Sequence, residues 1–542
     1  MTAKRGILIA MAIAAVALAL AWMMRFGTDD SYITYVYARE LVRGNGLTWF
    51  GTHIEGYTNF LWALWSALGL ALGRDPLVWA WGASLAALVA TILTTFRIAA
   101  LRKSPAAGVV AAAFLATNFT FLAFGTSGLE TMLQTALLAA ALLEVERLRR
   151  ATPTASALLR LSLFAGFALW TRLDSAPVLA VLGAVTAHRL GRERVARTVW
   201  AAAIVPALVL VAGWFAWKLS FYGELLPNTF YVKAGTGSAL HGAWFTGAFL
   251  QAYMLWPVVL AVAVLAAVRR TVVSALPLAV SAAHIAYVIL VGGDFMEFRF
   301  FVPILPALAI VVAELATTST TSTTSTTSGT AQHVPRTSVR AVALVAALAV
   351  FSLRHALTFE GVEDHSYDSV ATLGNFYHKV QDNDWSQLGA SLHDRFAGTP
   401  VTIACNGAGA IPYAADLMTV DQLGLNDAWV ARHGTRAPPT YPRPGHQRYA
   451  TYEYLVTRRA TFVIGSPMLV ERGALARQSE MPSVSRWLDG VLGGWTSPPA
   501  GVVEVVAAPV DAERELLMWY LTPDPEVTAR LAGWDRLRLH LH

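Results

Sequence analysis

Residues 6–35 read GILIAMAIAAVALALAWMMRFGTDDSYITY, an apolar segment followed at once by two adjacent aspartates. The apolar part, residues 6–26, is long enough to cross a bilayer as a helix. No small-residue cleavage site follows it before Arg25, so we expect a signal anchor that is kept in the mature protein. Charged groups near hydrocarbon are costly, and a chain that places Asp29 and Asp30 where a helix leaves the membrane is expected to use them. These aspartates are the first catalytic candidates.

The composition of the whole chain is typical of a polytopic α-helical membrane protein. Of its 542 residues, 55% are hydrophobic and only 14% are charged, and the mean hydropathy is +0.49. The net charge of +6 comes from short basic clusters beside apolar segments, so we expect no nucleic-acid partner. The only cysteine, Cys405, excludes an internal disulfide framework, and the scattered histidines lack metal-ligand spacing. The sequence therefore indicates no metal site.

Eleven segments have the length and apolarity of membrane spans. They cover residues 6–26, 77–97, 105–124, 130–147, 155–171, 174–188, 197–219, 243–267, 272–291, 299–316 and 338–356. Residues 57–73 are also apolar, but a further span there would move Arg97 and every later basic cluster to the opposite side. We therefore predict an interfacial or re-entrant helix at 57–73, which leaves six basic clusters on one side, as the positive-inside rule requires. These clusters are Lys4-Arg5, Arg97/Arg102/Lys103, Arg147/Arg149/Arg150, Arg189/Arg192/Arg194/Arg197, Arg269-Arg270 and Arg336/Arg340.

This topology places every loop rich in acidic or unusual polar residues on the extracytoplasmic side of the plasma membrane. Those loops are 27–76, 127–130, 171–174, 221–242, 292–299 and everything after about residue 357. We predict a transmembrane domain over residues 1–356 and a soluble extracytoplasmic domain over residues 357–542. The Thr/Ser-rich stretch within 317–337 lies on the cytoplasmic side, so we expect a flexible linker there rather than an O-glycosylated stalk.

The soluble domain has the alternation of short strands and helices that is typical of an α/β fold. We predict that it caps the helical bundle. Residues 406–410, Asn-Gly-Ala-Gly-Ala, resemble a nucleotide-binding loop only weakly because the third glycine is missing, so we expect a tight turn. The predicted strands are residues 401–405, 461–464, 501–506 and 516–521, and the predicted helix is Trp385 to Arg395.

The first outer loop contains most of the candidate substrate-binding side chains. A helical spacing of apolar residues from Tyr32 to Val42 predicts a helix that lies in the membrane interface. Asp29 and Asp30 precede it, so an alternative is that they only cap this helix. The remaining substrate-binding candidates in the loop are Tyr32, His53, Glu55, Tyr57 and Asn59.

Two further outer turns contain acidic candidates. Glu130 begins a span at the same predicted surface as the aspartate pair, which makes it a further candidate site residue. A carboxylate at a helix N-terminus also suits the macrodipole, so a capping role alone is the alternative. Arg172 is a candidate ligand of a phosphate, and the alternative is that it pairs with Asp174 to stabilise the turn.

Lys233 and Arg299 are cations on the side opposite the topology clusters. Such exceptions to the positive-inside trend favour an anionic ligand, and a lipid phosphate suits both the arginine fork and the lysine point charge. Snorkelling to ordinary headgroups is the alternative. Asn228 and Asp294 lie in the same two loops and are candidates for substrate binding.

Carboxylates and cations at one membrane surface suit a transfer reaction in which a lipid phosphate leaves. A basic clamp would stabilise the developing phosphate charge, and a carboxylate would take the proton of an incoming hydroxyl. The sequence therefore indicates a sugar linked to a polyprenyl phosphate as the donor.

Several motifs, taken in order, resemble those of the GT-C superfamily of membrane glycosyltransferases. More narrowly, the chain resembles the actinobacterial terminal β-(1→2)-arabinofuranosyltransferases of cell-wall arabinan synthesis and their bacterial relatives. The motifs that carry the resemblance are DDSYITYVYARELVRGNGL, HIEGYTNFLW, SGLET, TRLD, YGELLPNTFYVKAG, GGDFMEFRFFVPILP and GAGAIPYAADLMTVDQLGLND.

The resemblance implies a GT-C fold, a decaprenyl-phospho-arabinofuranose donor and a cell-wall glycan acceptor, the non-reducing end of an arabinan. It implies that Asp30 or Asp29 is the base or nucleophile, with Glu130 as second carboxylate and Lys233 and Arg299 as phosphate ligands. Some related enzymes need a divalent cation such as Mg²⁺, Mn²⁺ or Ca²⁺, but the sequence shows no complete ligand set.

Three alternatives to arabinofuranosyl transfer remain open on the sequence. Another polyprenyl-phosphate-sugar transferase would move mannose or aminoarabinose. A lipid-linked sugar flippase or transporter would place ionisable residues in mid-span and often show an internal repeat, whereas these spans are nearly free of charge and no repeat is visible. A scaffold that binds a cell-wall polymer would leave the aspartate pair without a purpose.

Overall fold

The computed structural model describes most of the chain, and its contacts form two compact units. The first unit comprises Met1–Arg25, Ala80–Trp214 and Ser238–Glu360, and the second comprises Phe26–Trp79, Phe215–Gly237 and Gly361–His542. The predicted domain boundary at residues 356–357 stays a prediction, and most of the Thr/Ser-rich linker lies outside the described residues. The described residues are 1–193, 195–233, 238–269, 275–317, 336–358, 367–370, 373, 385–438, 443–478, 481–494 and 498–541.

Helices dominate the first two thirds of the chain. They are α1 (Ala3–Met23), α2 (Asp29–Val42), α3 (Phe60–Ala71), α4 (Pro76–Arg102), α5 (Pro105–Ala116), α6 (Phe119–Ala123), α7 (Thr131–Leu148), α8 (Ala155–Thr171), α9 (Ala176–Glu193), α10 (Arg197–Tyr222), α11 (Asn228–Lys233), α12 (Ala239–Ala252), α13 (Trp256–Arg269), α14 (Ala275–Val291), α15 (Leu305–Ala316) and α16 (Arg336–Thr358). Two 3₁₀ turns, Leu173–Ser175 and Arg299–Ile304, precede α9 and α15.

The starts of these helices follow ordinary capping chemistry. The side chain of Ser104 accepts a hydrogen bond from the Ala107 N–H, and Pro105 occupies the first helical position of α5. Thr154 caps α8 in the same way, through the N–H of Ala157. Local sequence therefore defines where these helices begin.

Five segments in the described part of the chain are long and apolar enough to cross a membrane. They are α1, α4, α10, Arg299–Ala316 and Ala341–Thr358. Each predicted span contains a helix, but several helices are shorter than a bilayer requires, so the count of eleven stays a prediction. The helix α3, with 12 residues, is roughly 18 Å long, too short to span about 30 Å of hydrocarbon, as expected of an interfacial or re-entrant helix.

The predicted span over residues 243–267 is broken into two helices in the structure. The helices α12 and α13 meet at an angle of 98°. Met254 at the junction has a left-handed backbone, with φ of 48°. Pro257 follows it in the first turn of α13, where its missing N–H removes no intrahelical hydrogen bond. The break therefore separates two helices.

Two predicted basic clusters meet in the first unit at the carboxyl ends of α4 and α7. Arg102 Nε donates to Glu314 Oε1 at 2.6 Å and Arg102 also pairs with Glu146. Arg149 and Arg150 pair with the same Glu146 carboxylate, at 3.2 and 2.5 Å. These ends of α4, α7 and α15 therefore lie together, as the predicted topology requires.

The carboxyl-terminal region is an α/β domain, as predicted. Its helices are α17 (Trp385–Phe396), α18 (Ala410–Ala415), α19 (Ala428–His433), α20 (Tyr452–Thr457), α21 (Ala474–Arg477), α22 (Met481–Gly490) and α23 (Pro525–Arg530). Its strands are β1 (Thr402–Cys405), β2 (Met418–Asp421), β3 (Thr435–Arg436), β4 (Arg448–Tyr449), β5 (Phe462–Gly465), β6 (Leu469–Glu471), β7 (Gly501–Pro509), β8 (Arg514–Tyr520) and β9 (Asp535–Leu541). The four predicted strands and the helix at Trp385 are confirmed.

The main sheet has the order β2-β1-β5-β8-β7-β9 in the described part of the domain, with β6 also paired to β8. The pairs β1–β2 and β1–β5 are parallel, and the pairs β5–β8, β8–β7 and β7–β9 are antiparallel. Alternate side chains of β1 enter different cores, with Ala404 in one and Ile403 and Cys405 in the other. The sheet is therefore covered on both faces.

Residues of the first loop and of the carboxyl-terminal domain share a core within the second unit. Val36 and Tyr37 of α2 are fully buried there. Ala408 from the carboxyl-terminal domain belongs to the same cluster, and Tyr413 and Leu425 pack against it. This shared core fixes α2 against the loops that follow β1 and β2.

Candidate active site

The predicted site residues belong to both compact units. Four of them, Glu130, Arg172, Asp294 and Arg299, are in the first unit. The site residues of each unit form a separate network of contacts within that unit. The second unit contains Asp29, Asp30, Tyr32, His53, Glu55, Tyr57, Asn59, Asn228 and Lys233.

In the first unit, Glu130 immediately precedes α7 and forms a buried ion pair. Arg172 Nη1 lies 2.7 Å from Glu130 Oε1, and Arg172 Nη2 lies 2.6 Å from Asp174 Oδ2. Gln134, one turn along α7, donates to Asp174 Oδ1 at 2.6 Å. Glu130 occupies the N-cap position of α7 without a side-chain capping bond, so both its catalytic role and the alternative of a role at the helix N-terminus alone stay predictions. The pairing of Arg172 with Asp174 is confirmed.

Arg299 is paired in a similar way. Its Nε and Nη2 donate to the Asp294 carboxylate at 2.7 and 3.1 Å. The Phe300 ring lies close to both arginines, with its centroid 5.5 Å from Arg172 Cζ and 5.3 Å from Arg299 Cζ. Both arginines that the sequence assigns to a phosphate therefore have carboxylate partners, and their role as phosphate ligands stays a prediction.

In the second unit, Asp29 contacts the loop that follows β1. Its carboxylate accepts hydrogen bonds from the Gly409 N–H at 3.1 Å and from the Ala410 N–H at 2.6 Å. These are the amides at the start of α18, whereas the N-cap position of α2 belongs to Thr28. Asp29 therefore caps α18 rather than its own helix, and the simple capping alternative is wrong for it.

Burial changes the acidity of Asp29. Its side chain is 7% exposed, and loss of solvation raises its pKa from 3.8 to about 7, against the lowering effect of the Ala410 amide. The charge of Asp30 raises this pKa further. Asp30 itself is only partly buried, so it is the more accessible carboxylate of the pair.

Glu55 forms an ion pair with Lys218 that the sequence analysis missed. Lys218 Nζ lies 2.7 Å from Glu55 Oε2, and the two side chains are 0% and 3% exposed. Burial raises the pKa of Glu55 to about 7, while the Lys218 charge opposes the rise. A lysine near the end of the apolar helix α10 was the sequence signal for this pair, because such a charge needs a partner.

The other polar side chains of the first loop are held by neighbouring aromatic and hydroxyl groups. His53 stacks on Phe221, with ring centroids 4.4 Å apart. Tyr57 and Tyr222 have their hydroxyls 3.2 Å apart. Two more candidates are similarly engaged: Asn59 bonds Thr34, and the Tyr32 ring lies 5.6 Å from that of Tyr413.

Asn228 connects three segments of the second unit. Its backbone N–H donates to the Glu55 carbonyl at 2.8 Å, and its Nδ2 donates to the Gly424 and Leu425 carbonyls at 2.6 and 3.1 Å. Lys233 ends α11 and is exposed. A substrate-binding role for Asn228 stays a prediction, and its contacts show a role in positioning the loop.

A loop centred on Asp421 was also missed. The Asp421 carboxylate accepts from the N–H groups of Leu423 and Asn426 at 2.9 and 2.8 Å and from Asn426 Nδ2 at 3.0 Å. Asn426 Oδ1 in turn accepts from the Tyr37 hydroxyl of α2 at 3.0 Å. The motif DQLGLND therefore holds the first loop, a role that only the three-dimensional contacts reveal.

A divalent cation is the one cofactor that the resemblance raises. In the described residues, no three His, Cys, Asp or Glu side chains are grouped so that they could hold a metal ion. The described residues therefore do not fit a metal site. The need for a cation stays a prediction.

The two networks offer different chemistry. The first unit provides arginines whose charges are balanced by carboxylates. Such a cluster can form hydrogen bonds to polar groups, and it carries no large net charge. The second unit provides Asp30, a partly exposed carboxylate one residue away from a side chain fixed by two backbone amides. A partly exposed carboxylate such as that of Asp30 can take a proton from a hydroxyl.

Comparisons with known proteins are consistent with this architecture. A sequence-family model described as "Domain of unknown function (DUF8728)" matches residues 375–500. No curated protein matches the chain. ArnT from Cupriavidus metallidurans in the apo state is 16% identical, with a TM-score of 0.55 over 95% of this chain and 98% of that chain. The same protein bound to undecaprenyl phosphate is 15% identical, with a TM-score of 0.54 over the same shares.

A weaker similarity is to the oligosaccharyltransferase of Archaeoglobus fulgidus in the apo form. It is 11% identical, with a TM-score of 0.49 over 94% of this chain and 74% of that chain. The likeness to ArnT shows a shared fold over nearly the full length of both chains. The chain therefore has the GT-C fold. It is a polytopic α-helical membrane protein with a carboxyl-terminal α/β domain.

Proposed function

We propose that the protein is a membrane glycosyltransferase that moves a sugar from a polyprenyl-phosphate donor to a hydroxyl group of an acceptor. The observation that carries the proposal is the fold similarity to ArnT, which spans 95% of this chain and includes a structure bound to undecaprenyl phosphate. The polar networks at the ends of the apolar helices support it. A transporter would instead be expected to place ionisable groups in mid-span.

We assign the base to Asp30 and a positioning role to Asp29. In the proposed step, the acceptor oxygen attacks the anomeric carbon and its proton passes to the Asp30 carboxylate. The bond from the anomeric carbon to the phosphate oxygen breaks, and the lipid phosphate leaves with the electron pair. The exposed Lys233 is the first candidate for stabilising that phosphate. The roles of Glu130 as a second carboxylate and of Arg172 and Arg299 as phosphate ligands stay predictions.

The sugar is proposed to be arabinofuranose, and the acceptor the end of a cell-wall arabinan on the extracytoplasmic side. The support for this finer assignment is the set of sequence motifs, above all DDSYITYVYARELVRGNGL and YGELLPNTFYVKAG. Mannose and aminoarabinose remain the alternative sugars. The proposed orientation follows from the six basic clusters.

The test is a transfer assay with the purified protein in lipid nanodiscs. Synthetic polyprenyl phosphates carrying labelled arabinofuranose, mannose or aminoarabinose are each offered with a short arabinan acceptor. The proposal predicts a labelled, extended acceptor with the arabinofuranose donor. Product from another donor would keep the reaction class and change the sugar. No product from any donor, together with donor flipping in proteoliposomes, would support the transporter instead.

A further inference from the structure

A narrow polar pocket in the first unit has two buried polar atoms that lack a hydrogen-bond partner among the described residues. They are Thr131 Oγ1 and His284 Nδ1, on side chains that are 2% and 1% exposed. An unpaired buried polar atom is destabilising, so both atoms indicate an occupant. Arg172, Asp174, Arg299 and Phe300 also line the pocket.

The contacts of His284 define what that occupant must offer. His284 Nε2 lies 2.7 Å from the backbone carbonyl of Phe300. A carbonyl only accepts, so Nε2 carries the proton and Nδ1 of the neutral ring is an acceptor. The occupant must therefore donate a hydrogen bond to Nδ1, which an ionised phosphate without a proton cannot do.

The charges around the pocket also disfavour a phosphate. Arg172 and Arg299 line it, but their guanidinium groups are paired with Glu130, Asp174 and Asp294. Three carboxylates face two arginines, so the cluster has no surplus positive charge for an anion. A hydroxyl group suits it better, because a hydroxyl both donates and accepts hydrogen bonds.

We propose that this pocket receives a hydroxyl group of the sugar carried by the lipid donor, an inference that rests on the proposed function. The sugar O–H donates to His284 Nδ1 and exchanges a hydrogen bond with Thr131 Oγ1. The space suits about one water-sized group, so it fits a single hydroxyl and not a whole ring. Thr131 and His284 are then specificity-determining residues for the donor sugar.

The test compares two lipids on matched variants in nanodiscs. Thr131→Val keeps the shape of the side chain and removes its hydroxyl, and Thr131→Ser keeps the hydroxyl. The control is Thr135→Val, one turn along α7, whose hydroxyl bonds the Thr131 carbonyl at 2.8 Å within the helix. The probes are polyprenyl-phospho-arabinofuranose and bare polyprenyl phosphate.

The inference predicts that Thr131→Val weakens binding of the sugar-loaded lipid about 3- to 10-fold and leaves bare polyprenyl phosphate unchanged. Thr131→Ser and Thr135→Val should bind both lipids as the wild type does. Loaded-lipid binding equal to wild type in Thr131→Val would overturn the inference, because the pocket would hold only water. A raised KM for the arabinan acceptor, with donor binding intact, would assign the hydroxyl to the acceptor and also overturn it.

The proposed function fails in a different way. If the wild type binds neither lipid and transfers no sugar, both proposals are wrong. If the wild type transfers sugar and Thr131→Val does so with unchanged donor KM, only the pocket assignment is wrong. Should Thr131→Val melt far below the wild type, Thr131→Ser and His284→Leu replace it as the test. The inference predicts that the ratio of sugar-loaded to bare lipid affinity falls in His284→Leu and is unchanged in Thr131→Ser. Any other result for this ratio would overturn the inference.

Discussion

The carboxylate of Asp29 accepts a 2.6 Å hydrogen bond from the backbone N–H of Ala410, a residue 381 positions further along the chain. The neighbouring Gly409 amide provides a second bond at 3.1 Å. Asp29 thus holds the first loop against the carboxyl-terminal domain, within one compact unit. The other aspartate, Asp30, is left as the accessible carboxylate.

Asp29→Asn should lower stability without removing the catalytic group. An asparagine can accept one of the two amide bonds but turns an N–H donor toward the other, which costs about 1–3 kcal/mol. We expect a lower melting temperature in detergent and partial retention of sugar transfer. A melting temperature equal to that of the wild type would contradict the assigned tether.

The melting temperature should also depend on pH because of Asp29. Its folded-state pKa of about 7 lies above the ordinary value of 3.8, so the folded protein holds this proton more tightly than the unfolded chain does. The stability from this group is full below pH ~4 and is lost as the pH rises through ~7. The melting temperature should fall between pH 5 and pH 8, and less steeply in Asp29→Asn. Parallel curves for the two proteins would show that Asp29 does not titrate there.

Gly409→Ala should damage the same contact from the opposite side. A Cβ at position 409 would lie 1.9 Å from the Asp29 backbone oxygen, so the loop after β1 must move. Gly490→Ala is the matched control, because a Cβ built there meets no atom within 4 Å apart from its chain neighbours and the backbone of its own helix. We expect a lower melting temperature for the first variant and an unchanged or slightly higher one for the control, since alanine favours helices. Equal melting temperatures would show that the loop is not constrained by Asp29.

The buried pair of Lys218 and Glu55 should behave non-additively. Lys218→Met leaves a buried carboxylate without its cation, and breaking such a pair typically costs about 3–5 kcal/mol. Lys218→Met combined with Glu55→Gln removes both charges and should recover much of that loss. Chemical unfolding of the two single variants and the double variant forms the cycle. Strict additivity would mean that the two side chains do not interact.

Arg102 should contribute far more to the stability of the fold than Arg97 on the same helix. Arg102 bonds the buried carboxylates of Glu146 and Glu314, whereas Arg97 is exposed. Arg102→Ala should lose up to about 3–5 kcal/mol of stability, reduced by the remaining cations around Glu146. Arg97→Ala should change the melting temperature little. Similar melting temperatures for both variants would refute a structural role for this cluster.

Sequence patterns were sufficient for the helices and the α/β domain, because apolar periodicity acts locally. Two of the six basic clusters meet in the structure, and the common side of all six stays a prediction. The break at Met254 was missed, since a single left-handed residue and Pro257 leave the apolar composition unchanged. Composition locates a hydrophobic segment but does not show whether it is straight.

The site was predicted as a set of residue types and not as a set of partners. The sequence marked Asp29 and Glu130 as candidate catalytic carboxylates, but it did not reveal that Ala410 and Arg172 bind them. Such partners are distant along the chain and depend on the packing of several elements. Lys218 is the exception, because a charge in an apolar helix already signals a buried partner.

The most direct test of the central claim is the transfer of labelled arabinofuranose from a polyprenyl-phospho-arabinofuranose to a short arabinan, with the wild type and Asp30→Asn compared side by side. Asp75→Asn is the control, an exposed aspartate of the same loop that caps α4 through the Val78 N–H. The account predicts product with the wild type and Asp75→Asn, and a loss of about 10²-fold or more in Asp30→Asn. Full turnover by a folded Asp30→Asn variant would contradict it.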